Sequence, residues 1–189
     1  RMLNGGDGIV KSDDESLEYY EKAADKGDIE SMEEYCSDKR ISSIAHFNDK
    51  KRQYCKILAD SGNAKYMIKY SILIYKFDET ESENYLKNAA ESGNVVAMYQ
   101  YSLALQNGFY GIVNQQLSDY YYNMANSKED AKSICEYAYL LQYLYQFVHD
   151  YPKIKDQISV VNKYYKMAAD KGSDEGSYQY ALHLLRNKK

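Results

Sequence analysis

A short phrase recurs along this chain, and a recurring phrase limits the fold more than any local propensity, because it implies one structural unit used several times. Tyr19-Tyr20-Glu21-Lys22-Ala23-Ala24-Asp25-Lys26-Gly27-Asp28 returns as Tyr164-Tyr165-Lys166-Met167-Ala168-Ala169-Asp170-Lys171-Gly172-Ser173. Between them stand Tyr85-Leu86-Lys87-Asn88-Ala89-Ala90-Glu91-Ser92-Gly93-Asn94, a weaker copy over 54–63 and a degenerate one over 121–126. With Gly27, Gly62, Gly93, Glu129 and Gly172 as the equivalent position, the spacings are 35, 31, 36 and 43 residues. That is the length of a helical hairpin.

Each copy has the same internal logic: an apolar-periodic run, then Gly, then Asp, Asn or Ser. Gly accepts the left-handed conformation that ends a helix, and the polar residue after it accepts hydrogen bonds from the free N–H groups that open the next one. The phrase therefore predicts a tight turn between two helices. Glu129 takes the glycine position in the fourth copy, which predicts a strained or rebuilt turn there. The helix after each turn repeats too. Tyr35, Tyr70, Tyr101, Tyr137 and Tyr180 are each followed by a small residue, Cys36, Ser71, Ser102, Ala138 or Ala181. A ring beside a small side chain at fixed phase suits close helix crossing, so these are read as packing positions. The second helices are expected to open at Asp13 or Asp14, Asp49, Thr80, Asn114 and Asp156, with Thr80-Glu81-Ser82-Glu83 in capping-box form.

The run Asn4-Gly5-Gly6-Asp7-Gly8-Ile9-Val10-Lys11-Ser12-Asp13, continued by Leu17 through Asp28, resembles the Sel-one-like repeat, a relative of the tetratricopeptide repeat. The resemblance covers essentially the whole chain. It implies an all-α, right-handed solenoid of antiparallel helix pairs: a single repeat domain over 1–189, with units near 1–27, 28–62, 63–93, 94–129, 130–172 and 173–189. The chain starts and stops inside a repeat, which suggests a segment of a longer polypeptide. The sequence departs from the family in two ways. The Gly-x-Gly loop is intact only at Gly6-Asp7-Gly8, and Tyr replaces the usual Leu before the small residue.

In the related tetratricopeptide architecture the first helix of each repeat lines a concave face. Carried onto this sequence, that face holds Lys65, Ile68, Ile72, Tyr75 and Lys76 in the second copy, and Val96, Tyr99, Leu103, Gln106 and Asn107 in the third. The fourth supplies Lys132, Cys135, Tyr139, Gln142 and Tyr143, and the last Glu175, Tyr178, Leu182, Leu185 and Arg186. Tyr offers broad apolar area and a hydroxyl at small rotamer cost, so such a row fits a groove for a partner peptide or helix. The competing reading makes the same tyrosines core filler. The helix expected from Ala131 to about Asp150 is apolar almost all round, through Ile134, Tyr137, Leu141, Leu144, Val148, Tyr139, Tyr143 and Phe147. That predicts either burial on several sides or a binding surface.

Composition removes other classes. There are 24 Lys and Arg against 28 Asp and Glu, without the basic excess that neutralises phosphate, so nucleic acid is not an expected partner. Acids dominate the N-terminal part and bases the C-terminal part, which is read as solvated faces. No uninterrupted apolar run is long enough to span a bilayer, and residues 1–10 lack a signal-peptide core. The three cysteines, Cys36, Cys55 and Cys135, show no CxxC pair. They are read as buried thiols in a reducing, intracellular, cytoplasmic setting. His46, His149 and His183 lie in different repeats, so no acid–base pair is expected and no cofactor or metal is assigned. The expected function is a non-catalytic interaction scaffold or adaptor. The alternatives are a regulatory repeat module of a larger signalling enzyme such as a protein kinase, a self-associating module, and an enzyme with an unrecognised site.

Overall fold

The structure, a computed structural model, describes residues 13–37, 45–128, 130–147, 152 and 156–186; the side chains of residues 13, 14, 45–48 and 147 are outside this description. The described residues form ten helices and the turns between them, with no strand. These are α1 (Asp13–Ala24), α2 (Ile29–Ser37), α3 (Ala45–Asp60), α4 (Ala64–Ile74), α5 (Glu79–Glu91), α6 (Val95–Asn107), α7 (Gln115–Ser127), α8 (Ala131–Phe147), α9 (Gln157–Asp170) and α10 (Asp174–Arg186). The chain divides into two compact units, Arg1–Leu73 and Ile74–Lys189.

The recurring glycines make the turns. Gly27, Gly62, Gly93 and Gly172 take φ of 91, 90, 95 and 90°, so four copies share one backbone solution that a Cβ disfavours. Around Gly27 the amide of Asp28 reaches back to Ala23 O at 3.2 Å, and around Gly172 that of Ser173 reaches Ala168 O at 2.9 Å. These bonds satisfy carbonyls that the helix end leaves free. The next residue then caps the following helix. Asp28 Oδ2 accepts from Ser31 N at 2.8 Å, Asn94 Oδ1 from Ala97 N at 2.9 Å, and Ser173 Oγ from Gly176 N at 3.0 Å. Glu129 lies outside the described residues, but Asp130 beyond it does cap α8, accepting from Ser133 N at 3.1 Å.

Second-helix starts agree in part. Asn114 caps α7 through Leu117 N at 3.0 Å. The cap of α5 is Asp78, which accepts from Glu81 N at 2.8 Å, so the start falls two residues before the expected Thr80. Carboxylate reach to the third amide decided this, not the Thr-x-x-Glu pattern. Helix α3 begins at Ala45, ahead of Asp49. Asp156 precedes α9 without a side-chain cap bond and has φ of 59°. The helix end expected near Asp150 lies outside the described residues, and α8 is described to Phe147.

In the first unit α1 packs on α2 and α2 on α3. Tyr35 and Tyr54 meet edge to face there, with centroids 5.1 Å apart. Their chain neighbours correct the reading of the cysteines: Cys36 and Cys55 form a disulfide between α2 and α3, with Cα atoms 5.4 Å apart. The hairpin brings together two residues that no local motif links. The argument for a reducing, intracellular setting rested on unpaired thiols, and it falls with this bond. Cys135 is a buried free thiol.

The second unit pairs α5 with α6, α6 with α7, α8 with α9 and α9 with α10. The expected packing positions are buried in the first four copies: Tyr35, Tyr70, Tyr101 and Tyr137, with Cys36, Ser71, Ser102 and Ala138. In α10 the pattern relaxes, leaving Tyr180 half-buried and Ala181 exposed. Gly176 explains how α10 still sits close on α9, because a Cβ there would stand 2.7 Å from Ala168 Cβ.

Candidate protein-interaction surface

The first helices of the second unit lie side by side, α6 next to α8 and α8 next to α10. The row expected on them divides between interior and surface. Tyr99 is 0% exposed, and that corrects its placement on an open groove. It stacks on Tyr137 at 5.5 Å, meets Tyr164 edge-on at 5.2 Å and Tyr122 at 5.8 Å, and donates to Asn126 Oδ1 at 2.8 Å. Tyr137 and Tyr164 close the cluster at 4.7 Å. Aromatic pairs of this geometry each add about 0.5–1.5 kcal/mol beyond burial, so this is core. Leu103 and Ile68 are buried as well, and they leave the groove for the same reason. In all three the helix turns the side chain inward, away from solvent.

Other members stay accessible. Lys65, Gln106, Lys132 and Arg186 are exposed, and Ile72, Tyr75, Gln142, Tyr143 and Leu182 are half-buried. Tyr75 is held by a hydrogen bond to Phe109 O at 2.7 Å. Gln142 accepts from the buried Tyr165 hydroxyl at 2.7 Å. On α8 and α10, Tyr139 is 39% exposed, Tyr178 59% and Leu185 68%. Tyr139 packs edge-on against Tyr165 at 5.4 Å and donates to the Glu175 carboxylate, which ties α8 to α10. Burial and then Glu175 push the Tyr139 phenol up to about 12, so it is a neutral donor at ordinary pH. The apolar circumference of α8 divides between interior and surface. Ile134, Tyr137, Ala138, Leu141 and Leu144 are buried while Tyr139 is open; Phe147 and Val148 are outside the described side chains.

Of the histidines and the free cysteine, His183 and Cys135 have described side chains. His183 rests on the Tyr165 ring at 5.3 Å, and burial and Arg186 hold its pKa below the usual histidine value, so the ring is neutral. It is half-buried. The Cys135 thiol is pushed up by burial, the opposite of an activated thiolate. Lys69, which sequence reading passes over, is pushed down to about 8 by burial and by Lys65 and Lys51, and donates to Ser37 Oγ at 2.6 Å. No group of three His, Cys, Asp or Glu residues suited to a metal occurs among the described residues. No helix of the described residues is long and apolar enough to cross a membrane. The His149 position and the His46 side chain lie outside the description.

Two solved structures share this arrangement of helices. A protective antigen of uropathogenic Escherichia coli with an SLR fold superposes with TM-score 0.55 at 19% identity, over 99% of this chain and 40% of the antigen. A Sel1 repeat protein from Oxalobacter formigenes gives TM-score 0.55 at 20% identity, over 93% of this chain and 71% of that one. This chain has the Sel1-repeat fold. It spans less than half the antigen's length. No family model and no curated protein matches the sequence. The Sel1-repeat fold accounts for the equal glycine turns and for first helices lying next to one another, and it agrees with the family resemblance carried by the recurring phrase.

Proposed function

We propose that this Sel1-repeat chain is a non-catalytic interaction scaffold that takes a peptide or helix of another protein on the face shared by α8 and α10. One observation carries the reading. On these adjacent helices Tyr139, Tyr178 and Leu185 stay open while their neighbours Tyr137 and Tyr165 are fully buried. Large apolar and aromatic groups held on a rigid, well-packed base bury area on binding at small entropic cost, which is how hot spots work. Tyr143, Leu182 and Gln142 border them, and Arg186 and Lys132 add polar groups at the rim.

The test is a double variant scored against one captured partner of defined mass. Tyr139→Ser with Tyr178→Ser is expected to abolish capture with the helical circular dichroism unchanged. Capture that survives this double change would defeat the assignment. Self-association is the competing use of the same face, and light scattering separates the two. A mass that stays near the 21.9 kDa monomer across concentration favours a foreign partner.

A further inference from the structure

A second feature of the Ile74–Lys189 unit is independent of that face. The loop after α6 folds back on the start of α7 and encloses a cavity of about 270 Å³ lined by Glu83, Tyr101, Ala104, Leu105, Tyr110, Ile112, Asn114 and Leu117. Gly108, at φ of 67°, starts the loop, and Asn114 N closes it on Leu105 O at 3.0 Å. The volume falls below the roughly 300–1,000 Å³ of pockets for whole small molecules, so one side chain is the fitting size of occupant.

The polar groups choose its charge. Glu83 Oε1 accepts from the Tyr101 hydroxyl at 2.9 Å, and no lysine or arginine pairs with Glu83 among the described residues. Lys87, one turn along α5 and the natural partner, lies 3.8 Å from Glu91 instead. The oxygens of the site already have partners within the fold. The Tyr101 proton goes to Glu83, the Tyr110 hydroxyl pairs with Ser82 Oγ at 3.2 Å, and Asn114 Oδ1 receives Leu117 N. The one charged group of the lining is the Glu83 carboxylate, which repels an anion and attracts a donor-only cation. Ala104, Leu105 and Leu117 supply apolar wall for an alkyl stem. One carboxylate oxygen is already bonded, so a bidentate guanidinium is poorly served and a compact ammonium is better suited.

We infer that this pocket receives the lysine side chain of a partner segment, with apolar residues beside that lysine covering Ile112, which lines the cavity and is 83% exposed. The scaffold reading enters only in the source of the lysine; the preference for an ammonium on an alkyl stem is tested without a partner. Methyl-labelled protein is titrated with Nα-acetyl-lysine methylamide, with its neutral Nε-acetyl counterpart and with tetramethylammonium, and followed by NMR. Saturable shifts are expected at the Leu105, Ile112 and Leu117 methyls with the lysine probe, at least about tenfold tighter than with either comparator, as one charge-assisted hydrogen bond implies. Glu83→Gln is expected to remove that advantage. Ile112→Lys, at an exposed position that leaves the fold alone, is expected to block the site with its own ammonium. Equal affinity for the neutral probe or for tetramethylammonium, an unchanged titration in Ile112→Lys, or no saturation up to about 0.1 M would overturn the assignment.

Discussion

Single residues carry the sharpest energetic consequences in this chain. Gly93 sits at φ of 95° with nothing within 4 Å of a built Cβ, so Gly93→Ala tests backbone strain alone. It is expected to lower the chemical-denaturation free energy by about 1–2 kcal/mol. Gly176→Ala adds a clash of 2.7 Å with Ala168 Cβ and is expected to cost more than Gly93→Ala in the same assay. Asp156 is the reverse case: its φ is 59° and its side chain makes no cap bond, so Asp156→Gly is expected to raise stability slightly. The glycine turns were legible in the sequence because their punctuation is local. The fate of each tyrosine was not. Tyr99 and Tyr178 occupy the same repeat position on the first helices α6 and α10, yet one ends in a four-ring core and the other in solvent. That difference is set by which helix lies across each ring, which periodicity does not encode.

Elements are held by their caps and by one covalent link. The carboxyl of Asp28 is held below its ordinary value by the Ser31 hydroxyl and amide, and that of Asp130 by the Ser133 hydroxyl and amide. A carboxyl depressed in the folded chain contributes fully above its unfolded value, near 3.9, and loses that contribution as pH falls through the lower folded value. Helix unfolding followed by circular dichroism is therefore expected to become easier below about pH 4. Asp28→Asn keeps a capping oxygen but carries no charge, so it should flatten the acid limb of the curve. Between α2 and α3 the Cys36–Cys55 bond closes a loop of sequence separation 19, worth about 3 kcal/mol in the chain-entropy account. Reductant is expected to lower the unfolding free energy of the first unit by that amount, and a double Cys→Ser variant should respond to reductant not at all. The sequence concealed this link because Cys36 and Cys55 belong to different helices and share no motif. The clue was their matched placement, each directly after a buried tyrosine.

At the scale of the whole molecule, the account is that glycine-punctuated helix pairs bury one set of tyrosines and present another. Helix pairing was legible from the recurring phrase, and the exposed set was half legible: Tyr139 and Tyr178 were expected at the surface, and so was Tyr99. The pocket behind the loop after α6 had no sequence signature, since Glu83, Tyr101 and Leu117 come from three helices. Hydroxyl-radical footprinting of the intact chain, read by mass spectrometry, tests the central claim directly. Tyr139 and Tyr178 are expected to be labelled in the native protein, and Tyr99, Tyr137 and Tyr165 only after denaturation. Native labelling of Tyr99 at the rate of Tyr178 would contradict the account.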